Sequence, residues 1–282
     1  MALSLKTLTA RLRPDAPVIP LVRLNGMIGS ASTFRSGLSL QAVESALARA
    51  FGVKAAPAVA LLVNSPGGAA VQSHLIYKRI RALAEEKNKK VIVAVEDVAA
   101  SGGYMIAAAG DEIVVDGASI VGSIGVLSAG FGFPKLLEKI GVERRVHTAG
   151  KSKAMLDPFQ PEKEEDVARL LALQEDVHAA FIGLVKSRRS GLKDDPDLFT
   201  GAFWSGARAV DLGLADRVGD LREVLRERYG DKVRVLPIAT GRGGWLRRRM
   251  GFGGGSDDAS LAIVDRVIAA IEERLLWGRF GL

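Results

Sequence analysis

An α/β fold is predicted by three observations on this sequence. Short β-branched runs alternate with longer segments of helical period between Val18 and Ile238, several of those runs are almost wholly apolar, and glycine-marked turns follow two of them. Wholly apolar runs are what strands covered on both faces require. Strands are therefore expected at Val18 to Leu24, Ala58 to Val63, Val91 to Val95, Glu112 to Val115, Ile124 to Leu127, Arg144 to Thr148 and Val233 to Pro237. Helices are expected at Leu40 to Phe51, Ala69 to Glu86, Pro134 to Ile140, Pro161 to Arg188, Ser205 to Leu212 and Asp220 to Tyr229. The clearest is Pro161 to Arg188, where Val167, Leu170, Leu171, Gln174, Val177, Phe181, Leu184 and Val185 fall along one stripe.

A boundary falls near residue 240, dividing the chain into an N-terminal extension (1–17), a core domain (18–240), a linker (241–258) and a tail (259–282). The linker, GRGGWLRRRMGFGGGSDD, joins seven glycines to the cluster Arg242, Arg247, Arg248 and Arg249. In the tail, Leu261, Val264, Ile268, Ile271 and Leu275 share one face of an amphipathic helix from Ser260 to Trp277. Such a helix suits packing against another subunit or lying on a bilayer surface behind the basic cluster.

Composition narrows the chemistry. With 282 residues, 48% of them hydrophobic and 25% charged, the chain can bury a core without cross-links. It has no cysteine, so disulfides, thiol nucleophiles and Cys-ligated metals are excluded. His74, His147 and His178 show no metal-ligand spacing, so neither a metal nor another cofactor is expected. The net charge of +7 permits anionic partners, but no nucleic-acid-reading module surrounds the arginines and no nucleic acid is expected. Residues 1–14 lack the apolar core of an export signal. Gly117 to Pro134 is uncharged, yet its interleaved glycines and serines read as buried strand and loop rather than a membrane span.

Two turns could aim backbone donors at one point. Asn64-Ser65-Pro66-Gly67-Gly68 follows one apolar strand and Ser101-Gly102-Gly103 follows another, each opening a helix where free N–H groups favour negative charge. Neither turn completes a nucleotide-binding glycine motif. Ser101 stands where a nucleophile would be useful, though serine is also a preferred helix cap, and position alone leaves both roles open. A serine hydroxyl needs a base. His147 and His178 are candidates, each inside a predicted strand or helix. A lysine is the alternative, provided that desolvation brings its pKa from about 10.4 to roughly 7–8. Lys153, in the loop GKSKAMLDP beside Met155 and Leu156, is such a residue.

NSPGG at 64–68, ASGGYMIA at 100–107, VGSIGV at 121–126 and GKSKAMLDPF at 150–159, in that order, resemble the signal peptide peptidase A (SppA/SohB) group of serine peptidases, family S49, over roughly Val18 to Val235. The resemblance implies a ClpP/crotonase-type fold of repeated ββα units and makes residues 18–240 a peptidase domain. It places the nucleophile at Ser101 and the general base at Lys153, with Lys151 as a nearby alternative. Gly68 and Gly102 become oxyanion-hole candidates, and Asn64, Gly67, Gly103 and Ser123 substrate-binding or supporting residues. It further implies hydrophobic peptide substrates such as remnant signal peptides, with the small residues Ala99 to Ala109 suiting a groove for them. A homo-oligomeric ring would share each site between neighbouring subunits. Relatives carry a membrane anchor that residues 1–17 do not show, so a bacterial cytoplasmic placement, peripheral at the inner membrane through the tail, is expected. Three other readings compete: a Clp-type Ser-His-Asp peptidase, a crotonase-like acyl-CoA enzyme using Glu96 and Glu112, and a catalytically silent scaffold at the membrane.

Overall fold

The computed structural model describes residues 16–29, 37–240, 274 and 277–282. The N-terminal extension, the linker and most of the tail helix lie outside the described residues. Within them the fold is α/β, as expected. One mixed sheet runs β6-β5-β3-β2-β1-β8, with β4 also paired to β3 and β7 to β4. Its strands are β1 (Val18–Asn25), β2 (Ala58–Ser65), β3 (Lys90–Ala100), β4 (Glu112–Val115), β5 (Ile120–Gly122), β6 (Phe203–Ser205), β7 (Arg217–Val218) and β8 (Arg234–Ile238). All pairings are parallel except β5 with β6.

Side-chain alternation fixes what each face meets. On β2, Val59, Leu61 and Val63 point into the larger core with α1 (Leu40–Phe51), α2 (Ala70–Lys87) and α3 (Gly102–Ala107). Ala58 and Ala60 point the other way, toward α7 (Leu221–Tyr229). Each fully buried aliphatic side chain contributes about 1.5–3 kcal/mol. The Ser39 hydroxyl caps α1 by accepting from Ala42 N–H, and the Asp220 carboxylate caps α7 by accepting from Arg222 and Glu223 N–H.

Strand β3 does the most to position the site. Its first half pairs with β4 and its second half with β5, so the sheet splits at Glu96 and Asp97. Buried Ser119 fills the split by donating to the Glu96 carbonyl at 2.6 Å. The β2–β3 register also shifts between Val63 and Ser65, which leaves Asn64 free to bridge the two strands. Its side chain donates to Asp97 at 2.6 Å and accepts from Val98 N–H at 3.2 Å.

Two expected strands are absent. Arg144 to Thr148 forms no strand, because it lies in an exposed arm with no strand beside it. Ile124 to Leu127 fails because Gly122 and Ser123 both take positive φ and turn the chain; the strand lies earlier, as β5, and ends at Gly122. The arm contains α4 (Pro134–Lys139) and leads into α5 (Glu164–Arg188), and α6 (Gly206–Asp211) follows β6. Only Phe181 and Val185 of α5 are buried; earlier on the long apolar stripe Val167, Leu170 and Gln174 are half-buried and Leu171 is exposed. At its other end, Arg188 donates to the carbonyls of Ala108 and Gly110 at 3.2 and 3.0 Å, placing a cation at the C-terminal end of α3.

Candidate active site

The C-terminal ends of β2 and β3 are neighbours, and that brings the two glycine turns together, at the edge where parallel sheets ordinarily bind ligands. The contact explains the glycines. A Cβ on Gly67 would stand 2.8 Å from the Ser101 Cβ and 2.9 Å from the Ala100 carbonyl. One on Gly68 would strike the Ile28 carbonyl, one on Gly102 the Ser73 hydroxyl and one on Gly103 the Ser65 carbonyl. Gly67 and Gly68 also take φ of +104° and +137°, where a side chain is strained. Buried Ser65 holds the first turn by accepting from Gly67 N–H at 3.2 Å.

Ser101 joins β3 to α3 at φ 52°, ψ −123°, a backbone state that L-residues rarely adopt. Its own N–H donates to Gly122 at 2.8 Å, and its carbonyl accepts from Met105 N–H at 3.0 Å. Its hydroxyl does not cap α3. The capping role that the sequence left open is therefore not the one Ser101 plays. The N–H groups of Gly68 and Gly102 likewise donate to no partner among the described residues.

Ser101 opens onto a cavity of about 730 Å³. Gly68, Gly102 and Ser123 line it too, together with apolar Pro66, Met105, Leu127 and Phe181. Ser123 is buried, sits at φ 52° and donates its N–H to the Ala202 carbonyl at 2.7 Å. Asn64 does not line this cavity: its side chain is spent on Asp97 and Val98, which fits the supporting role of the two expected for it. One expectation needs correction: Ala99 to Ala109 do not form a groove. Ala99, Ala100 and Ala107 to Ala109 are fully buried where α3 packs on the sheet, and of that run beyond Ser101 and Gly102 only Met105 reaches the cavity.

The lysine lies elsewhere. Lys153 is exposed, outside the lining of the Ser101 cavity, on the arm between β5 and α5. Its loop is held from within. The Asp157 carboxylate accepts from Phe159 N–H at 3.0 Å and from Arg144 at 2.9 Å, and Arg144 lies 4.9 Å over the Phe159 ring. These hydrogen bonds, the Phe159 one foremost, hold the Asp157 carboxyl below its ordinary value. Lys151 is also exposed and pairs with Glu165 at 3.2 Å. His147 is exposed on the same arm.

His178, a candidate base from the sequence, does line the cavity, with Nε2 3.0 Å from the Ile124 carbonyl. A carbonyl only accepts, so that nitrogen carries the hydrogen and is not a free base. Arg279 also lines the cavity, from the end of the tail. Only helical period locates His178 before the fold is known, and nothing local to Arg279 points to Ser101. The carboxylates of the acyl-CoA reading are committed away from the cavity, Glu96 to Arg23 at 3.0 Å and Glu112 to Arg228 at 2.6 Å. Among the described residues there is no carboxylate or histidine cluster able to hold a metal.

Residues 83–233 match the model of peptidase family S49. A Brucella abortus protein named Na+/H+ antiporter NhaA is 56% identical over 279 residues, which are 96% of this chain and 38% of that protein. The chloroplastic serine protease SPPA of Arabidopsis thaliana is 36% identical over 175 residues, 60% of this chain and 25% of that protein. The chain thus spans well under half the length of either relative. Among solved structures, the 1510-N membrane-bound stomatin-specific protease superposes with a TM-score of 0.47 at 16% identity, covering 79% of this chain and 98% of that one. No described helix is long and apolar enough to cross a membrane.

Proposed function

The chain belongs to peptidase family S49, and from that premise we propose that it is a serine endopeptidase whose Ser101 is the nucleophile and whose Lys153 is the general base, brought together from two copies of the chain. One observation carries the reading. Ser101 is held in a strained turn, its hydroxyl does not cap α3, and it opens on a cavity flanked by two N–H groups with no partner among the described residues. Strain of this kind costs on the order of 1–3 kcal/mol and persists where function demands it. A silent scaffold has no use for it.

The chemistry follows from the groups present. The neutral amine of Lys153 takes the proton from Ser101 Oγ as that oxygen bonds to the peptide carbonyl carbon. Gly68 and Gly102 N–H groups receive the oxyanion, each such donor being worth roughly 10²–10³ in rate. The C–N bond then breaks as the lysine returns the proton to the leaving amine. A water, deprotonated by the same lysine, releases the acyl group and restores the serine. The apolar walls at Pro66, Met105, Leu127 and Phe181 suit hydrophobic peptides such as remnant signal peptides.

Assembly supplies what a single chain lacks. The arm that carries Lys153 exposes Phe131, Leu136, Ile140 and Val142, and α5 exposes Leu171 and Leu173. A surface this apolar is expected to be covered by another protein face. Covering it with the partner's body would carry Lys153 of the partner subunit to Ser101 and strip it of water, as a lysine base requires. Replacing Ser101 or Lys153 by Ala should each lower hydrolysis of an apolar fluorogenic peptide roughly 10⁴-fold; turnover that survives either change defeats the dyad. For the same protein we place contact with the inner face of the bacterial membrane at Arg242, Arg247, Arg248 and Arg249. Co-sedimentation with anionic vesicles should fall when all four are replaced by Gln, and unchanged binding would remove the contact.

A further inference from the structure

The last described segment folds back onto the active-site strand. Phe280 is buried against Val98 and Ala100, just before Ser101, and meets Phe203 edge-on at 5.1 Å. The segment is finished by a paired helix-end motif: Leu282 N–H donates to the Trp277 carbonyl at 3.3 Å and Gly281 N–H to the Gly278 carbonyl at 3.2 Å, with Gly281 at φ +76°. Arg279 sits between these anchors, its guanidinium 5.9 Å from the Phe280 ring centre, and lines the Ser101 cavity.

The charge pattern of that cavity is one-sided. Arg279 is its one permanently charged lining residue among those described, and no Asp or Glu lines it. Within the described residues Arg279 has no ion-pair partner. A guanidinium presents a planar fork of donors matched to a carboxylate.

We propose that Arg279 is a specificity residue that reads a carboxylate on the peptide bound at Ser101, so that an Asp or Glu near the cleaved bond is preferred over Asn or Gln. The inference rests on the reading of this cavity as a peptide site, and it adds to apolar selection a single acidic position. Because Arg279 is exposed, the preference is modest and weakens with salt.

The test separates recognition from turnover by using Ser101→Ala protein, full chain, and binding measured by fluorescence anisotropy. Paired apolar peptides carry Glu or Gln at each position in turn across the cavity. With Arg279 intact, one position should favour Glu roughly five-fold at low salt. Arg279→Gln should bring that ratio near one and Arg279→Glu should invert it, while Arg279→Lys should retain part of it. A ratio near one at every position, equal ratios in all variants, or no binding of any peptide would overturn the proposal. If wild-type protein fails to cleave while the binding ratio behaves as stated, the dyad falls and Arg279 stands.

Discussion

At Ser101 the chain accepts a backbone state that glycine would hold without strain, and its hydroxyl does not cap the helix that follows. That separates two kinds of loss. Ser101→Ala removes the hydroxyl and keeps the strain, whereas Ser101→Gly removes both. Glycine's larger unfolded-state entropy offsets part of the relief. We expect Ser101→Gly to be more stable than Ser101→Ala by about 1 kcal/mol in denaturant unfolding, with both inactive. Equal stabilities would mean the turn is not strained. Ser101 was legible in the sequence because glycines after an apolar strand mark a tight turn; its φ and ψ were not, since they are imposed by Gly67 and Gly122 from other strands. The place of His178 beside the cavity, and Arg279 altogether, were illegible for the same reason. What makes each a cavity residue is packing against segments distant in sequence.

Among the elements, those with their own signals were the ones read well. Helix α1 carries an apolar period and the Ser39 cap, and both of its ends were found. Arg144 to Thr148 has strand composition but no partner, and composition cannot supply one. Strands β6 and β7 are too short to show any period. The arm is instead held by local contacts, with Asp157 at their centre, and this has a pH consequence. A carboxyl whose folded pKa lies below its unfolded value, about 3.9 for Asp, contributes stability above that value and loses it as pH falls through the folded pKa. Hydrogen exchange in residues 143–159 should therefore stay protected through the weakly acidic range and rise only in strong acid. Asp157→Asn should raise it already at neutral pH, because the charge-assisted bond to Arg144 is gone. Protection that fades near neutrality, or survives the substitution, would assign the arm's order to other contacts.

At the scale of the whole molecule, the proposed dyad joins a body that holds Ser101 to an arm that holds Lys153 outside its cavity, and so calls for a heterologous contact. One surface of each copy meets a different surface of the next, and such contacts close into rings when the rotation permits. The arrangement can be counted. If every site lay within one chain, co-assembling wild type with an equal amount of a Ser101→Ala/Lys153→Ala chain would leave half the sites intact. If each site takes its serine from one copy and its lysine from the next, both contributors must be wild type, and random assembly leaves about one quarter. Mixing the two single variants gives the complementary count. Sites within one chain yield nothing, whereas sites shared between chains regenerate about one quarter of the wild-type number. Active-site titration of co-expressed, separately tagged chains reads both values. A half in the first mixture with nothing in the second would return Lys153 to its own chain's Ser101, and the arm would then have to fold back over the cavity instead of reaching outward.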